Sequence, residues 1–350
     1  MDRYLPGRYI EEKGKKTLYF GGTAYLGLPV HPGYQELVRE GTQRYGAHFG
    51  STRRSTIAPD IFAEAEHKLA RWLGAESSLL LSSGTLAGQL LVRSLSAQTS
   101  HFFYAPKAHP ALWNQAGNPA PDLSFKDWTV WMCEQLQQLK QPAVLLSNVS
   151  DPLFAETLSF DWVADLPAHA PITLVIDDSH GLGVTGPHGG GSFSNIPVPA
   201  HVQVVGIASL GKGLGTPGGI VYGPAVITEQ LRSTASFGGA SPPPAPYLYA
   251  LVHSPGIQAR QRQRLQQYLT QLDQVNRRYP LFRHAPGYPV FYTARHEMGP
   301  ALLKRAIHLS QFNYPSPESP LLTRAVISAH HEPEDIEALI AGITYFAQLM

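Results

Sequence analysis

Three short segments carry residue types that chemistry needs. Ser209-Leu210-Gly211-Lys212-Gly213-Leu214-Gly215 puts one lysine between glycines, directly after an apolar run. A lysine amine held away from water has a lowered pKa, and its neutral form is the usual nucleophile for a Schiff base. Asp177-Asp178-Ser179-His180-Gly181-Leu182-Gly183 ends a second apolar run in two carboxylates. Acids there are costly unless something pairs with them, and the protonated ring nitrogen of a cofactor is one such partner, held by the carboxylate as an electron sink. Ser83-Gly84-Thr85 lies between a strand and a helix start. Small residues leave backbone N–H groups free to face a phosphate, and the helix dipole favours its charge. Singly, these segments also fit a strand-to-helix turn, a metal-binding or salt-bridged acid pair and a solvent-facing lysine. Together, at these spacings, they point to Schiff-base chemistry at one site.

The elements that position them follow from hydrophobic pattern. Short apolar runs alternate with longer amphipathic ones from about residue 60 to 235, which implies βα units around a mainly parallel sheet. Candidate strands are SLLLS, AVLLSN (143–148), ITLVIDD (172–178) and VQVVGIAS (202–209). Their apolar runs do not alternate, as expected for strands covered on both faces. Ligands of such sheets sit beyond the carboxyl ends of the strands, where all three segments fall. A helix DIFAEAEHKLARWLG is expected with Asp60 as its cap and Gly74 as its stop. FGGASPPPAP is expected to be irregular, because consecutive prolines lack donors. A long helix over about 256–278 and a terminal PEDIEALIAGITYFAQ follow. The division expected is an N-terminal arm (1–45), a large α/β domain (46–235) and a smaller C-terminal α+β domain (236–350).

Composition narrows the function classes. The chain has 350 residues, 43% hydrophobic and 15% charged, with formal net charge +1. No basic run builds a face for nucleic acid or anionic membrane. No apolar stretch approaches the roughly 18 residues of a membrane span, and the polar N-terminus lacks a secretory core, so a cytoplasmic protein is expected. Cys133 is the single cysteine, in an apolar helical context, and reads as a packed thiol. The fifteen histidines include no H-E-x-x-H pair; His180 and His188 read as loop residues rather than zinc ligands, and no metal is expected. His330 and His331, at a helix entry, are expected to be exposed. Gly181–Gly186 satisfies G-x-G-x-x-G, but two aspartates precede it and Pro187 follows, which disfavours a pyrophosphate site.

The chain resembles the α-oxoamine synthase family of fold-type I pyridoxal-phosphate (PLP) enzymes. The matching segments are AYLGLPVHP (24–32), GSTRRS, LARWLGAESSLLLSSGTLAGQ, VIDDSHGLGVTGPHGGGS, ASLGKGLGTPGG, SPPPAP and TRAVISAHHEPEDI. The resemblance implies an aspartate-aminotransferase-like α/β fold, pyridoxal 5'-phosphate as cofactor, and a homodimer with active sites at the subunit interface. It makes Lys212 the Schiff-base lysine, Asp177 the partner of the pyridine nitrogen and His180 the neighbour of the ring hydroxyl. His109 is then the ring-stacking histidine, and Ser83, Gly84, Thr85 and Ser209 are phosphate contacts. Arg324, opening the last strand, matches the arginine that binds the substrate carboxylate.

Several family positions differ here. Thr23-Ala24 replace a segment with asparagine, and Pro152-Leu153-Phe154-Ala155 replace a Ser-Met-Asp-Gly stretch. Phe312-Asn313-Tyr314-Pro315 lack an arginine, and Gly238-Gly239-Ala240-Ser241 lack a threonine. These changes fall on substrate recognition more than on cofactor chemistry. The expected activity is decarboxylating condensation of an amino acid with an acyl-CoA. An aminotransferase or other Cα-bond reaction, and a non-catalytic PLP-fold binding protein, are the alternatives.

Overall fold

The computed structural model describes residues 7–12, 14–314 and 316–350. In chain order its strands are β1 (Tyr9–Glu12), β2 (Lys15–Phe20), β3 (Ser77–Leu81), β4 (His101–Tyr104), β5 (Ala143–Asn148), β6 (Ser150–Asp151) and β7 (Glu156–Thr157). There follow β8 (Ile172–Asp177), β9 (Val202–Ser209), β10 (Gly219–Gly223), β11 (Val290–Thr293), β12 (Ile307–Asn313) and β13 (Leu321–Val326). The larger sheet has the order β3-β10-β9-β8-β5-β4. β4, β5, β8 and β9 run parallel, and β10 lies antiparallel between β9 and β3.

The lack of alternation in these strands has the expected cause. Val144, Leu146, Val175, Val205 and Ile207 pack on one face with Leu90, Leu91 and Leu95 of the helix Gly84–Ser96. Leu145, Leu174 and Ile176 pack on the other with Trp128 and Met132 of the helix Phe125–Gln138. Successive side chains point to opposite faces, so a strand covered twice must be apolar throughout. β5 and β9 have the bounds read from sequence, whereas β8 ends one residue early, at Asp177. That places Asn148 opposite Asp177 at the carboxyl ends of adjacent strands, with Ser209 two residues beyond Asp177's partner Ile207 on the next.

The second sheet runs β1-β2-β12-β13-β11. β2 pairs in parallel with β12, so residues 9–12 and 15–20 of the segment read as an arm are strands in the C-terminal layer. The helices Pro255–Arg278 and Pro333–Gln348 cover this sheet through Leu265, Leu269, Leu272, Ile336, Leu339 and Ile343.

Three local expectations are corrected. Asp60 makes no cap hydrogen bond to the helix Ile61–Leu73; its carboxylate accepts from Tyr45 Oη at 2.9 Å. Gly74 does end that helix, in the left-handed conformation at φ 70°. FGGASPPPAP is regular at both ends. Thr234 caps a short helix Ala235–Gly239, and Pro246 sits in the first turn of Ala245–His253, where its missing N–H costs nothing. His331 is buried rather than exposed, with Nδ1 accepting from Ser328 N and Nε2 donating to the carbonyl of Tyr19. His330 is half-buried, and burial pushes its pKa down to about 4.

Candidate active site

The lysine anchors the cluster. Lys212 lies in the turn after β9, and its Nζ is 2.8 Å from His180 Nε2. Burial lowers the Lys212 pKa, opposed by the nearby charge of Asp177. The other nitrogen of His180, Nδ1, is 2.8 Å from Tyr25 Oη. Burial first, then the positive charges of Lys212 and Arg324, hold the His180 pKa well below its ordinary value. Burial of Tyr25 raises its pKa to about 12, so the phenol keeps its proton. Lys212, His180 and Tyr25 thus form one hydrogen-bonded string in which the imidazole is neutral.

Asp177 ends β8 and is buried. Its Oδ1 accepts from Ser179 N at 2.9 Å, which holds the carboxylate in place. Its charge acts on both Lys212 and His109. His109 is held twice: its backbone N–H donates to Asn148 Oδ1 at 3.0 Å, and its Nδ1 accepts from Ala111 N at 3.1 Å. Nδ1 is therefore the unprotonated nitrogen, and burial lowers the pKa of the ring.

The phosphate-type segments meet across the sheet. Ser83 caps the helix Gly84–Ser96, its Oγ accepting from Leu86 N at 3.1 Å. A Cβ on Gly84 would lie 2.9 Å from Ser209 Cα, Cβ and N. Only glycine lets the helix start and the end of β9 approach this closely. Ser209 is fixed by its own N–H donating to Ser179 Oγ at 2.8 Å and by its Oγ accepting from Gly211 N at 3.2 Å. Ser83 and Thr85 face solvent at the same corner.

Arg324 is the fourth residue of β13 rather than its first. It is buried, with Nη1 donating to the carbonyl of Pro152 at 2.5 Å and its guanidinium 4.8 Å from the Phe312 ring centroid. Its Nε is buried without a partner, and among the described residues Arg324 forms no ion pair. Burial works against its charge, while Tyr25, Tyr288, Asp151 and Tyr19 favour it. Lys212, His180, Asp177 and His109 are thus gathered into one cluster, Ser83, Gly84 and Ser209 into a neighbouring corner, and Arg324 beside Tyr25.

Sequence reasoning gave no role to Tyr25, Asn148, Ser179 or Tyr288. Asn148 had a signal, as the polar end of an apolar strand. Tyr25 had one in the segment AYLGL. Tyr288 had none, since a tyrosine in APGYPV reads as core until the fold brings it 6.4 Å from the Tyr25 ring.

The donor set fits a phosphorylated pyridine aldehyde. A nucleophilic amine, a buried carboxylate, two neutral imidazoles and a helix start that only glycine can fill lie together, and nothing in the set resembles a metal cage. Among the described residues no group of acids, histidines and cysteines could hold a metal ion, and no helix is long and apolar enough to cross a membrane.

Comparison with known proteins agrees. The family model for aminotransferase class I and II matches residues 23–343. The 8-amino-7-oxononanoate synthase of Nitrosomonas eutropha is 29% identical over 94% of this chain and 89% of its own length. The serine palmitoyltransferase of Sphingobacterium spiritivorum is 27% identical over 63% of this chain and 56% of its own. Among solved structures, the Sphingomonas wittichii serine palmitoyltransferase superposes with a TM-score of 0.83 at 17% identity, covering 100% of this chain and 92% of that one. The 8-amino-7-oxononanoate synthase of Francisella tularensis gives 0.74 at 19% identity, covering 95% and 98%. The chain has the fold-type I architecture of PLP-dependent transferases and belongs to the aminotransferase class I and II family, with its relatives among the α-oxoamine synthases.

Proposed function

We propose that this chain is a PLP-dependent acyltransferase that condenses an amino acid with an acyl-CoA thioester and releases carbon dioxide, an 8-amino-7-oxononanoate synthase-like reaction. The observation that carries the reading is the string Lys212–His180–Tyr25 beside Arg324, a buried guanidinium with an unpartnered Nε and no counterion among the described residues. An amine nucleophile and an uncompensated cation at one site suit a substrate bearing both an amino group and a carboxylate.

Pyridoxal 5'-phosphate, when bound, supplies an electron sink for the pair left at the substrate Cα. Ser83, Gly84, Thr85 and Ser209 would hold its phosphate, His109 its ring face, and His180 its hydroxyl. Asp177 would hold the pyridine nitrogen protonated, because a buried carboxylate favours a cation beside it. Lys212 would be the attachment point and the base that moves the proton at Cα. Its lowered pKa serves both roles. Arg324 would bind the substrate carboxylate and so fix the substrate's orientation. The homodimer implied by the resemblance belongs to the same proposal and is checked by sedimentation equilibrium.

The test incubates PLP-loaded protein with the protein amino acids and a series of acyl-CoA thioesters. Release of free CoA thiol together with carbon dioxide supports the reading. A keto acid formed from the amino acid, with no thiol released, would assign transamination instead.

A further inference from the structure

The short hairpin β6–β7 lies between the two sheets, and Arg324 donates to its tip. It follows directly on the site: Val149 N donates to the carbonyl of Asp177 at 2.9 Å, one residue before the hairpin begins. Asp151, buried, closes the tip, its Oδ1 accepting from Leu153 N at 2.9 Å and Phe154 N at 3.3 Å. Its Oδ2 is 2.7 Å from Lys107 Nζ, on the loop after β4 of the larger sheet. From the far side, the C-terminal layer grips the same tip. Arg324 donates to Pro152 O, Phe154 packs edge-on against Tyr292 of β11 with centroids 4.9 Å apart, and Arg283 pairs with Glu156 at 2.5 Å. Ala155 is buried in the C-terminal core and holds φ 57°, a left-handed conformation that a non-glycine residue keeps only when its surroundings impose it.

Arginine offers two donor edges. The carbonyl of Pro152 takes Nη1, and the Phe312 ring covers one face of the guanidinium. What is left is the edge bearing Nε, which has no protein partner. A carboxylate binds a guanidinium edge through two parallel hydrogen bonds, so its position is set by whatever fixes the plane of the guanidinium. Here that is the Pro152 carbonyl at the hairpin tip together with the Phe312 ring, and Asp151 ties that tip to Lys107 of the larger sheet.

We propose that the hairpin is a positioning device for the substrate carboxylate: Asp151, tied to Lys107, fixes the Pro152 carbonyl, which turns the Nε edge of Arg324 towards the substrate. The proposal rests on the reading of Arg324 as the carboxylate site. Asp151 and Lys107 act through Arg324 and are positioning residues, so their loss shifts amino-acid affinity and leaves cofactor affinity alone.

The experiment titrates PLP-loaded protein with each protein amino acid, following the visible cofactor band, and takes the one that the wild type binds most tightly as probe. Cofactor affinity is measured separately on apo-protein by fluorescence quenching. Asp151→Asn keeps the acceptor for the two tip N–H groups but puts an amide opposite the lysine. Lys107→Met removes the cation from a half-exposed position where folding is not at stake. Both raise the Kd of the probe amino acid on the order of tenfold, the loss of one charged hydrogen-bond partner, with cofactor Kd unchanged, and Lys107→Arg restores it. If Arg324→Lys weakens the probe while Asp151→Asn and Lys107→Met do not, the hairpin proposal fails and the carboxylate reading stands. If Arg324→Lys leaves the probe Kd unchanged, or no amino acid moves the band in the wild type, both fail. Equal losses of probe and cofactor in the hairpin variants would make the hairpin merely structural and overturn the proposal.

Discussion

Asp178 gives the sharpest stability prediction, because its environment is fully specified. The side chain is 1% exposed, wedged where a Cβ on Gly181 would lie 2.0 Å from Oδ1 and one on Gly191 2.1 Å from Oδ2. Oδ2 accepts from Ser192 N at 2.6 Å, and Oδ1 has no partner. Burial, with a smaller contribution from the neighbouring charge of Asp177, raises its pKa from 3.8 to about 7. The folded protein therefore keeps a proton that the unfolded chain has already released. Stability is intact below the unfolded pKa and is lost as pH rises through the folded value. At about 1.4 kcal/mol per pKa unit, the full cost approaches ~4 kcal/mol above pH 7, and roughly 2–3 kcal/mol of it falls between about pH 5 and pH 8. Asp178→Asn keeps the shape and the acceptor for Ser192 N but removes the titration. Urea unfolding of apo-protein is the assay, with variant and wild type at both pH values so that the other titrating groups cancel. The variant should gain about 2–3 kcal/mol on the wild type between pH 5 and pH 8. A gap that does not change with pH would refute the assignment of a neutral carboxyl.

Other perturbations separate the parts of the site. Gly84→Ala drives a methyl group into Ser209, so it should destabilise apo-protein by about 1–3 kcal/mol and weaken cofactor binding; equilibrium titration with PLP measures the second effect. Arg324→Met removes one charged hydrogen bond and one unsatisfied buried donor. These nearly offset, so thermal unfolding of the apo-protein should move little while amino-acid affinity falls at least tenfold. A large stability loss at unchanged affinity would make Arg324 structural. Tyr25→Phe leaves His180 Nδ1 without its partner; the His180 signals in a proton–nitrogen NMR spectrum of apo-protein should change tautomer ratio, and turnover should fall about tenfold. An unchanged ratio would remove Tyr25 from the string.

What the sequence made legible follows physical lines. β5, β8 and β9 were readable because strands buried on both faces must be apolar for their whole length. Asp177 and Ser209 were readable because polar residues ending such strands need a reason, and Lys212 because it lies between glycines just past one. β10 escaped because GIVYG is five residues flanked by glycines, and its antiparallel place between β3 and β9 comes from pairing alone. β2 escaped because its partner β12 lies almost 290 residues away in the chain, and β1 with it because it pairs on β2. The burial of His331 and the meeting of Tyr25 with His180 are likewise products of long-range packing. Two histidines beside a helix look exposed until Phe20 stacks on one of them, with ring centroids 4.4 Å apart. The orientation of Arg324 was beyond sequence altogether, since a backbone carbonyl sets it.

The central claim is that Lys212 carries the cofactor. The direct measurement reconstitutes wild type and Lys212→Ala with PLP, treats both with borohydride, and locates the reduced adduct by peptide mass spectrometry. A pyridoxyl group on Lys212 in the wild type, and none at any lysine in the variant, is the result predicted. A wild type that takes up no cofactor, or an adduct on another lysine, would contradict it.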